Sequence, residues 1–284
     1  MKTIILRSAL LILLVSLSSC ARREGHVTTV TSEPKRAFDE NINPQAVNPS
    51  PEMTPTPEVE VALSNGLRIV PKSVKLEHER RRYKIDVTYP QIEGTRDPAI
   101  LNLNRRIRDL VTKHYRWPLT PPTKQDLRYY EKWPDVYNSV DLDYEIVLAT
   151  DRILSIYFEI YSYGIGAAHS VQQSFTVNYD LKSRQWLRLS SLFKPGAKYL
   201  QFISDYCIGK LSKDHQWAIS DPTFKKELDP TARNYESWNI TKQGIRFNFD
   251  ACKIDGCAAG KEEVEISLNE LKQILKATAP LFGA

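Results

Sequence analysis

The sequence predicts an α+β fold of mostly antiparallel sheets with a few packed helices, preceded by a segment without regular structure. Three observations support this prediction. Several segments alternate polar and apolar residues, which is typical of half-buried strands, and two of them flank the short turn Thr150–Arg152 as a hairpin. Only a few segments place apolar residues at helical spacing. Those helical segments stand apart from the strands, as in α+β domains.

Regular structure is expected to begin near Leu67. Asp97 and Pro98 predict the start of a helix, because Asp caps helix N-termini and Pro suits the first helical position. The four prolines within residues 116–136 predict an irregular loop. Two strands are predicted first, at Arg68–Leu76 and Tyr83–Tyr89, and Pro90 ends the second. A helix over 98–115 follows, and then strands at Val140–Ala149 and Ile153–Tyr163.

Alternation continues after the turn at residues 164–169. In the strand Ile153–Tyr163 the even-numbered residues from Leu154 to Ile160 are apolar, whereas the odd-numbered residues from Ser155 to Tyr163 are serine, glutamate and tyrosine. The next strand, Val171–Asp180, alternates in the same way. We expect two small subdomains, at about 67–163 and 164–284. The remaining predicted elements are strands at Gln185–Leu189, Gly244–Phe249 and Val264–Leu268, a helix around 199–211, and a short helix at about Glu270–Ala277.

The first twenty residues indicate export. Lys2 and Arg7 precede an apolar run, and Leu17-Ser18-Ser19-Cys20 follows it. This pattern resembles the lipobox of bacterial lipoproteins, which implies a signal peptide over 1–19 and lipidation (a palmitate-type membrane anchor) at Cys20. An ordinary secretory signal or an uncleaved anchor are the alternatives. The apolar run is shorter than the roughly 20 residues that span a bilayer.

Residues 20–66 are predicted to be a disordered tether. Five prolines lie among Asn, Ser and Thr in Asn41–Pro57, a composition that cannot bury enough apolar surface to fold. We therefore expect a domain held at a bacterial membrane and facing the periplasm or the exterior. Ala21, rather than Asp, after the cysteine favours the outer membrane if the cell has two membranes.

The net charge of the chain does not indicate a nucleic-acid-binding protein. The formal charge is +5, and Lys2 and Arg7 supply two of these charges, which is too mild to predict nucleic-acid binding. The runs Arg80–Arg82 and Arg105–Arg106 are interpreted as solvated faces, with contact to anionic lipid or wall polymer as the alternative.

The cysteines beyond Cys20 predict a disulfide and a buried thiol. Cys252 and Cys257 flank an Asp-Gly turn and are the candidates for a disulfide, because export permits oxidation. Their spacing lacks a second ligand pair, so no metal site is expected. Cys207 lies in a helical pattern and is interpreted as a buried free thiol.

No catalytic template is present, and no cofactor is expected. The glycine-rich turn at 164–169 leads into a strand rather than a helix, so it does not fit a dinucleotide site. His169 either fixes this turn or acts as a ligand or general base. Asp141 and Asp143 share a strand face and form either a solvated surface or a pair of catalytic acids. Tyr157, Tyr161 and Tyr163 either form a binding platform with His169 or pack against a helix.

Several short motifs together resemble the RsiV-like group of exported bacterial domains of unknown function. The group includes the extracellular part of a lysozyme-sensing anti-sigma factor and a module attached to some peptidoglycan deacetylases. The match covers about residues 70–280. The motifs are Tyr89–Gly94, the turn Tyr163–His169, Phe175–Leu181 followed by Leu187–Phe193, Ile240–Phe249, and Ala258–Gly260 with Val264–Ile266.

The resemblance implies an α+β fold without catalysis of its own, and a role in envelope sensing or binding. We therefore expect a non-enzymatic envelope protein that recognises a lysozyme-type muramidase or a peptidoglycan component. A wall-acting hydrolase and a structural lipoprotein are the alternatives. Gly164 and Gly166 are offset from the glycines of the family's turn. No cytoplasmic sigma-binding segment is seen in this sequence, so sigma regulation is not expected. A mildly basic domain would need a local acidic patch to attract a basic muramidase.

Overall fold

The computed structural model describes residues 60–215 and 222–282, so Cys20, the predicted signal peptide and most of the predicted tether lie outside the described residues. The described part is an α+β fold, as the sequence predicts. Its strands are Val61–Ala62 (β1), Arg68–His78 (β2), Tyr83–Glu93 (β3), Asn138–Ala149 (β4), Ile153–Tyr163 (β5), Val171–Asp180 (β6), Gln185–Trp186 (β7), Trp238–Ile240 (β8), Gly244–Phe249 (β9) and Glu262–Ser267 (β10). Its α-helices are Pro98–Tyr115 (α1), Lys124–Lys132 (α2), Tyr199–Asp214 (α3), Pro222–Glu227 (α4) and Leu268–Leu271 (α5).

The first seven strands form one large sheet in chain order, β1 to β7. Neighbours are antiparallel except β3 and β4, which run parallel because α1 connects them across the sheet. Helix α1 begins as predicted, with the Asp97 carboxylate accepting a hydrogen bond from Ala99 N at 2.9 Å. Its buried residues, such as Leu103 and Ile107, cover the apolar face of the sheet and exclude water from it.

The predicted end of β3 at Pro90 is wrong, because the strand continues to Glu93. Proline lacks a backbone N–H and is tolerated in a strand where one side has no partner. This condition holds here, since β3 pairs with β4 only from Tyr83 to Val87. Pro90 lies beyond that paired stretch and faces Pro71 of β2 on the other side.

The predicted irregular loop over 116–136 contains two helices, so that prediction is wrong in part. A 3₁₀ turn covers Trp117–Leu119, and α2 follows at Lys124–Lys132. Thr123 and Asp126 form a reciprocal capping box: Asp126 N donates to Thr123 Oγ1 at 3.2 Å, and Thr123 N donates to Asp126 Oδ2 at 2.7 Å. This motif starts α2 directly after the prolines.

The second half of the chain builds a smaller antiparallel sheet in the order β10-β9-β8. Helix α3 packs on one face of it, with Ile203, Cys207 and Leu211 in a core shared with Phe247 and Phe249. Strand β9 and helix α3 lie where the sequence predicts them. Strands β1 and β8 are not predicted, and β1 falls within the segment expected to be a tether. Strand β7 is shorter than expected. The terminal helix predicted at about Glu270–Ala277 is wrong in most of its length, since α5 covers Leu268–Leu271.

The large sheet extends on both sides of the glycine-rich turn. β5 ends at Tyr163, and β6 pairs with it from Ser162–Val171 to Ile153–Asp180. A subdomain boundary at 163–164 would therefore divide one hydrogen-bonded sheet. Within the described residues, no helix is long and apolar enough to cross a membrane.

Candidate functional site

The second face of the large sheet is polar, because the strands alternate between apolar residues under α1 and polar residues opposite. The small sheet covers the part of this face that lies on β5 and β6. The face of the small sheet that makes this contact is polar as well, since Asn239, Arg246 and Asn248 alternate with the buried apolar residues of β8 and β9. We call this contact between the two sheets the polar seam.

Ser155 lies at the centre of the polar seam and is fully buried. Its Oγ accepts hydrogen bonds from Asn239 Nδ2 and Ile240 N, each at 3.0 Å, and donates to Asn178 Oδ1 at 2.7 Å. Asn178 Nδ2 donates to the Trp238 carbonyl at 2.7 Å. Buried polar groups are stable only when they are paired in this way. The network therefore fixes the position of β8 on the large sheet.

Charged residues border this network. The guanidinium of Arg246 lies 2.9 Å from Glu145 Oε2 of the large sheet and 3.5 Å from Glu263 of its own sheet. Lys261 Nζ lies 4.6 Å from the Tyr157 ring centroid, and the Arg246 guanidinium approaches the same ring at 5.6 Å. Tyr157 is only 2% exposed. Burial, with the nearby Glu159 carboxylate, raises the pKa of its hydroxyl.

Tyr157 is therefore part of the polar seam and not of an open platform. Tyr161 and Tyr163 lie beyond the seam and are half-buried. The Tyr161 hydroxyl donates to Glu159 Oε1 at 3.4 Å, and burial raises the pKa of Tyr161 to about 12. The Tyr163 hydroxyl donates to the Ala167 carbonyl at 3.2 Å and so holds the glycine-rich turn.

His169 is exposed on this turn, and its Nδ1 lies 2.8 Å from the carbonyl oxygen of Ser170. Within residues 60–215 and 222–282, no carboxylate forms an ion pair with it. The structure thus gives His169 a local contact and brings it no partner acid. Gly166, at φ 89°, supplies the left-handed conformation that the turn requires.

Carboxylates from three adjacent strands lie on the polar face at and beyond the border of the small sheet, where Lys261 Nζ lies 3.7 Å from Glu159 Oε1. Asp86 lies on β3 beside Asp141 of β4, and Asp143 lies opposite Glu159 of β5. We call these four residues the acidic face. Burial, together with the neighbouring Asp86 charge, raises the pKa of Asp141. Asp86 also pairs with Lys75 at 2.9 Å. The predicted pair Asp141 and Asp143 is thus part of a larger group.

The cysteine predictions are confirmed. Cys252 and Cys257 form a disulfide with their Cα atoms 4.0 Å apart, and Cys207 is a buried free thiol. Burial raises the pKa of Cys207 to about 12, which suppresses the reactive thiolate. The described part of the chain contains no cluster of three His, Cys, Asp or Glu residues suited to a metal ion.

Sequence reasoning missed Asp86 and Arg246. Asp86 joins the acidic face only because β3 pairs in parallel with β4, and nothing local in the sequence indicates that pairing. Arg246 could have been found: it alternates with Asn248 between the buried Ile245, Phe247 and Phe249, and this pattern marks a second polar face.

Two families match this chain, one after the other. Residues 76–172 match the family model described as Deacetylase PdaC, and residues 190–269 match the model described as Protein of unknown function (DUF3298). The chain thus joins a PdaC-like segment to a DUF3298-like segment. The first covers most of the large sheet, and the second covers the small sheet and its helices.

A curated relative agrees with the first match. Over 139 residues the chain is 30% identical to the peptidoglycan-N-acetylmuramic acid deacetylase PdaC of Bacillus subtilis. The aligned part is 49% of this chain but only 30% of the relative. The chain therefore spans less than a third of that protein's length.

Two solved structures share the fold. A DUF3298 family member from Bacteroides fragilis superposes with a TM-score of 0.59 at 18% identity, over 76% of this chain and 96% of that chain. A DUF3298 family protein from Pseudomonas aeruginosa gives a TM-score of 0.51 at 16% identity, over 76% and 95%. At these identities the likeness shows the fold alone.

Proposed function

We propose that this protein is a lipid-anchored protein of the bacterial cell envelope that binds a basic, lysozyme-type muramidase and catalyses no reaction itself. The PdaC relative is named for its action on peptidoglycan, which supports a role near the cell wall. The resemblance to a lysozyme-sensing domain supports the ligand class. The acidic face is the observation that carries the proposal.

The acidic face supplies the local charge that such a ligand needs. The whole chain is mildly basic, yet Asp86, Asp141 and Asp143 lie side by side on one face. Asp141 is half-buried beside Asp86, and this crowding is unfavourable for the free protein. A cationic ligand would relieve the repulsion and would be steered toward the face by its field.

Capture of purified lysozyme by the full chain tests this proposal. At moderate salt we expect a Kd of about 1 μM or tighter, within the range of specific protein complexes. The triple variant Asp86→Asn, Asp141→Asn, Asp143→Asn should bind at least about tenfold more weakly, chiefly through a slower association rate. Binding should also weaken as salt rises.

The matched control neutralises three exposed acids elsewhere: Asp109→Asn, Asp229→Asn and Glu236→Gln. It should bind lysozyme like the unsubstituted chain. This comparison separates the effect of the acidic face from the effect of the overall charge. No binding at micromolar lysozyme, or equal loss in both triple variants, would overturn the muramidase proposal. Binding to purified peptidoglycan instead would favour a wall glycan as the ligand.

The anchor is tested separately at Cys20. Cells fed a labelled fatty acid should incorporate the label into the unsubstituted protein and not into Cys20→Ala. The unsubstituted protein should also partition into detergent. Absence of label from the unsubstituted protein would contradict lipidation while leaving the ligand proposal intact.

A wall-acting enzyme is the second candidate, favoured by the 30% identity to a named deacetylase. His169, Asp141 and Asp143 are the residues this candidate would use. Purified peptidoglycan incubated with the full chain should then release acetate or new reducing ends. Turnover that persists in His169→Ala and in both Asp→Ala variants would exclude these residues, and no turnover would exclude the class.

A further inference from the structure

One end of the large sheet collects basic and aromatic residues that the acidic face does not use. Three segments form this basic end: the β2–β3 turn Glu79–Arg82, the segment Arg116–Leu119, and helix α2. The Arg81 guanidinium donates to the Leu119 carbonyl, which joins the first two segments. Asn138 connects helix α2 to the β2–β3 turn. Its backbone N donates to the Arg82 carbonyl at 2.8 Å, and its Nδ2 donates to Tyr130 Oη at 3.1 Å.

The basic end has an excess of positive charge. Its segments carry seven Lys or Arg residues against three Asp or Glu residues, and one of these acids, Asp126, is engaged in the α2 capping box. On α2, Lys124, Arg128 and Lys132 recur at intervals of four and so share one helical row. Within the described part of the chain, none of the following forms an ion pair: Arg80, Arg82, Arg116, Lys124 and Arg128.

Apolar side chains are exposed among these charges. Trp117 is 39% exposed, and Leu127 on α2 is 46% exposed. Helix α2 buries none of its residues, so its apolar side chains contribute little to the core. Exposed apolar side chains bordered by charged residues are typical of surfaces that contact a partner or a membrane.

We propose that the basic end docks on an anionic lipid surface. Cations are attracted to anionic headgroups, and tryptophan and leucine partition into the boundary between headgroups and acyl chains. A soluble polyanion would satisfy the charges but would leave Trp117 and Leu127 in water, so the combination favours a bilayer. This inference depends neither on lipidation nor on the acidic face.

Vesicle co-sedimentation of the full chain carrying Cys20→Ala tests the proposal without a covalent lipid. The probes are phosphatidylcholine vesicles and vesicles of phosphatidylcholine with phosphatidylglycerol. We expect binding to the anionic vesicles that weakens with salt. Each basic residue at an anionic surface strengthens binding about fivefold, so the triple variant Arg80→Gln, Arg116→Gln, Arg128→Gln should lose roughly 100-fold.

The control triple variant Arg188→Gln, Lys225→Gln, Lys242→Gln removes the same charge from exposed positions outside the basic end. It should bind anionic vesicles nearly as well as the parent. Trp117→Ala should weaken vesicle binding while leaving binding to inorganic polyphosphate unchanged. Circular dichroism of each variant verifies folding before the comparison.

Three outcomes would overturn membrane docking: equal binding to neutral and anionic vesicles, equal loss in the two triple variants, or no effect of Trp117→Ala on vesicle binding. The last outcome, combined with tight polyphosphate binding, would assign the basic end to an anionic polymer instead. Lysozyme capture by the triple variant at the basic end should stay unchanged, which keeps this test distinct from that of the acidic face.

Discussion

At the scale of single residues, Ser155 shows how a buried hydroxyl joins the two sheets. Replacing it by alanine removes the acceptor of Asn239 Nδ2 and one acceptor of Ile240 N, and both groups stay buried. An unpaired buried donor costs about 1–3 kcal/mol. We expect Ser155→Ala to lower the free energy of unfolding by that amount in urea denaturation.

Ser190→Ala is the control for this prediction, because Ser190 is exposed. Its effect should stay within about 0.5 kcal/mol, as for most surface substitutions. A Ser155→Ala variant as stable as the control would show that the hydroxyl is not important for the seam.

Asp141 yields a prediction about pH. Its pKa is raised in the folded protein by burial and by Asp86, so the folded state binds the proton more tightly than the unfolded state. The ionised carboxylate therefore destabilises the fold at neutral pH, and this cost disappears as pH falls below the ordinary pKa of Asp. We expect Asp141→Asn to raise Tm at pH 7, with a gain that shrinks in acid.

Asp109→Asn, on the exposed surface of α1, should change Tm little at either pH. If Asp141→Asn lowers Tm at neutral pH, the carboxylate makes a stabilising contact that outweighs its crowding. If it raises Tm while weakening lysozyme capture, the protein retains an unfavourable charge for binding, as functional sites often do.

The sequence could place single residues on a face but not say what covers them. Alternation correctly put Ser155 and Tyr157 opposite the apolar residues of β5. Whether that face is open depends on Asn239, which is 84 positions from Ser155 along the chain. No local pattern reports such a contact, and so the sequence leaves open whether Tyr157 forms a binding platform or packs against another element.

At the scale of elements, α2 is held by its cap and not by the core. It buries no residue, so the Thr123–Asp126 capping box supplies much of its stability. Thr123→Ala should cost about 1 kcal/mol, confined to this helix. We expect faster hydrogen exchange of amides within 124–132, with an unchanged global unfolding midpoint.

Ser267→Ala is a matched comparison, because Ser267 and Glu270 form the same motif at α5. That helix buries Leu271 in the core of the small sheet, so its loss should lower the global midpoint as well. A global loss of stability in Thr123→Ala would contradict the local role of α2.

Element prediction succeeded where pattern and capping agreed and failed where proline misled it. Helix α1 has the Asp97 cap and a regular apolar stripe, and its predicted bounds are correct. Pro90 and the prolines before α2 predict breaks that the structure does not have. Proline blocks only the hydrogen bond of its own N–H, so its effect depends on whether a partner strand or helical turn needs that bond.

At the scale of the whole molecule, the polar seam makes the two cores interdependent. The buried apolar residues form two clusters, one under α1 and one centred on the small sheet, and the second takes only Leu148 and Ile153 from the large sheet. Each cluster could therefore open alone if the seam were weak. Asn178 links to β8 at 2.7 Å, and Arg246 links to Glu145 at 2.9 Å. These contacts predict that both sheets unfold together.

Native-state hydrogen exchange tests this interdependence. In the unsubstituted protein, the slowest amides of β4 and of β9 should report the same opening free energy. The double variant Asn178→Ala, Arg246→Ala should lower the opening free energy of β9 more than the opening free energy of β4. The reason is that the small sheet loses its attachment while the large sheet keeps α1. The exposed pair Asn102→Ala, Arg105→Ala on α1 removes the same residue types and should leave both values equal. Equal values in the seam variant would mean that the apolar cores, and not the seam, set the cooperativity of the fold.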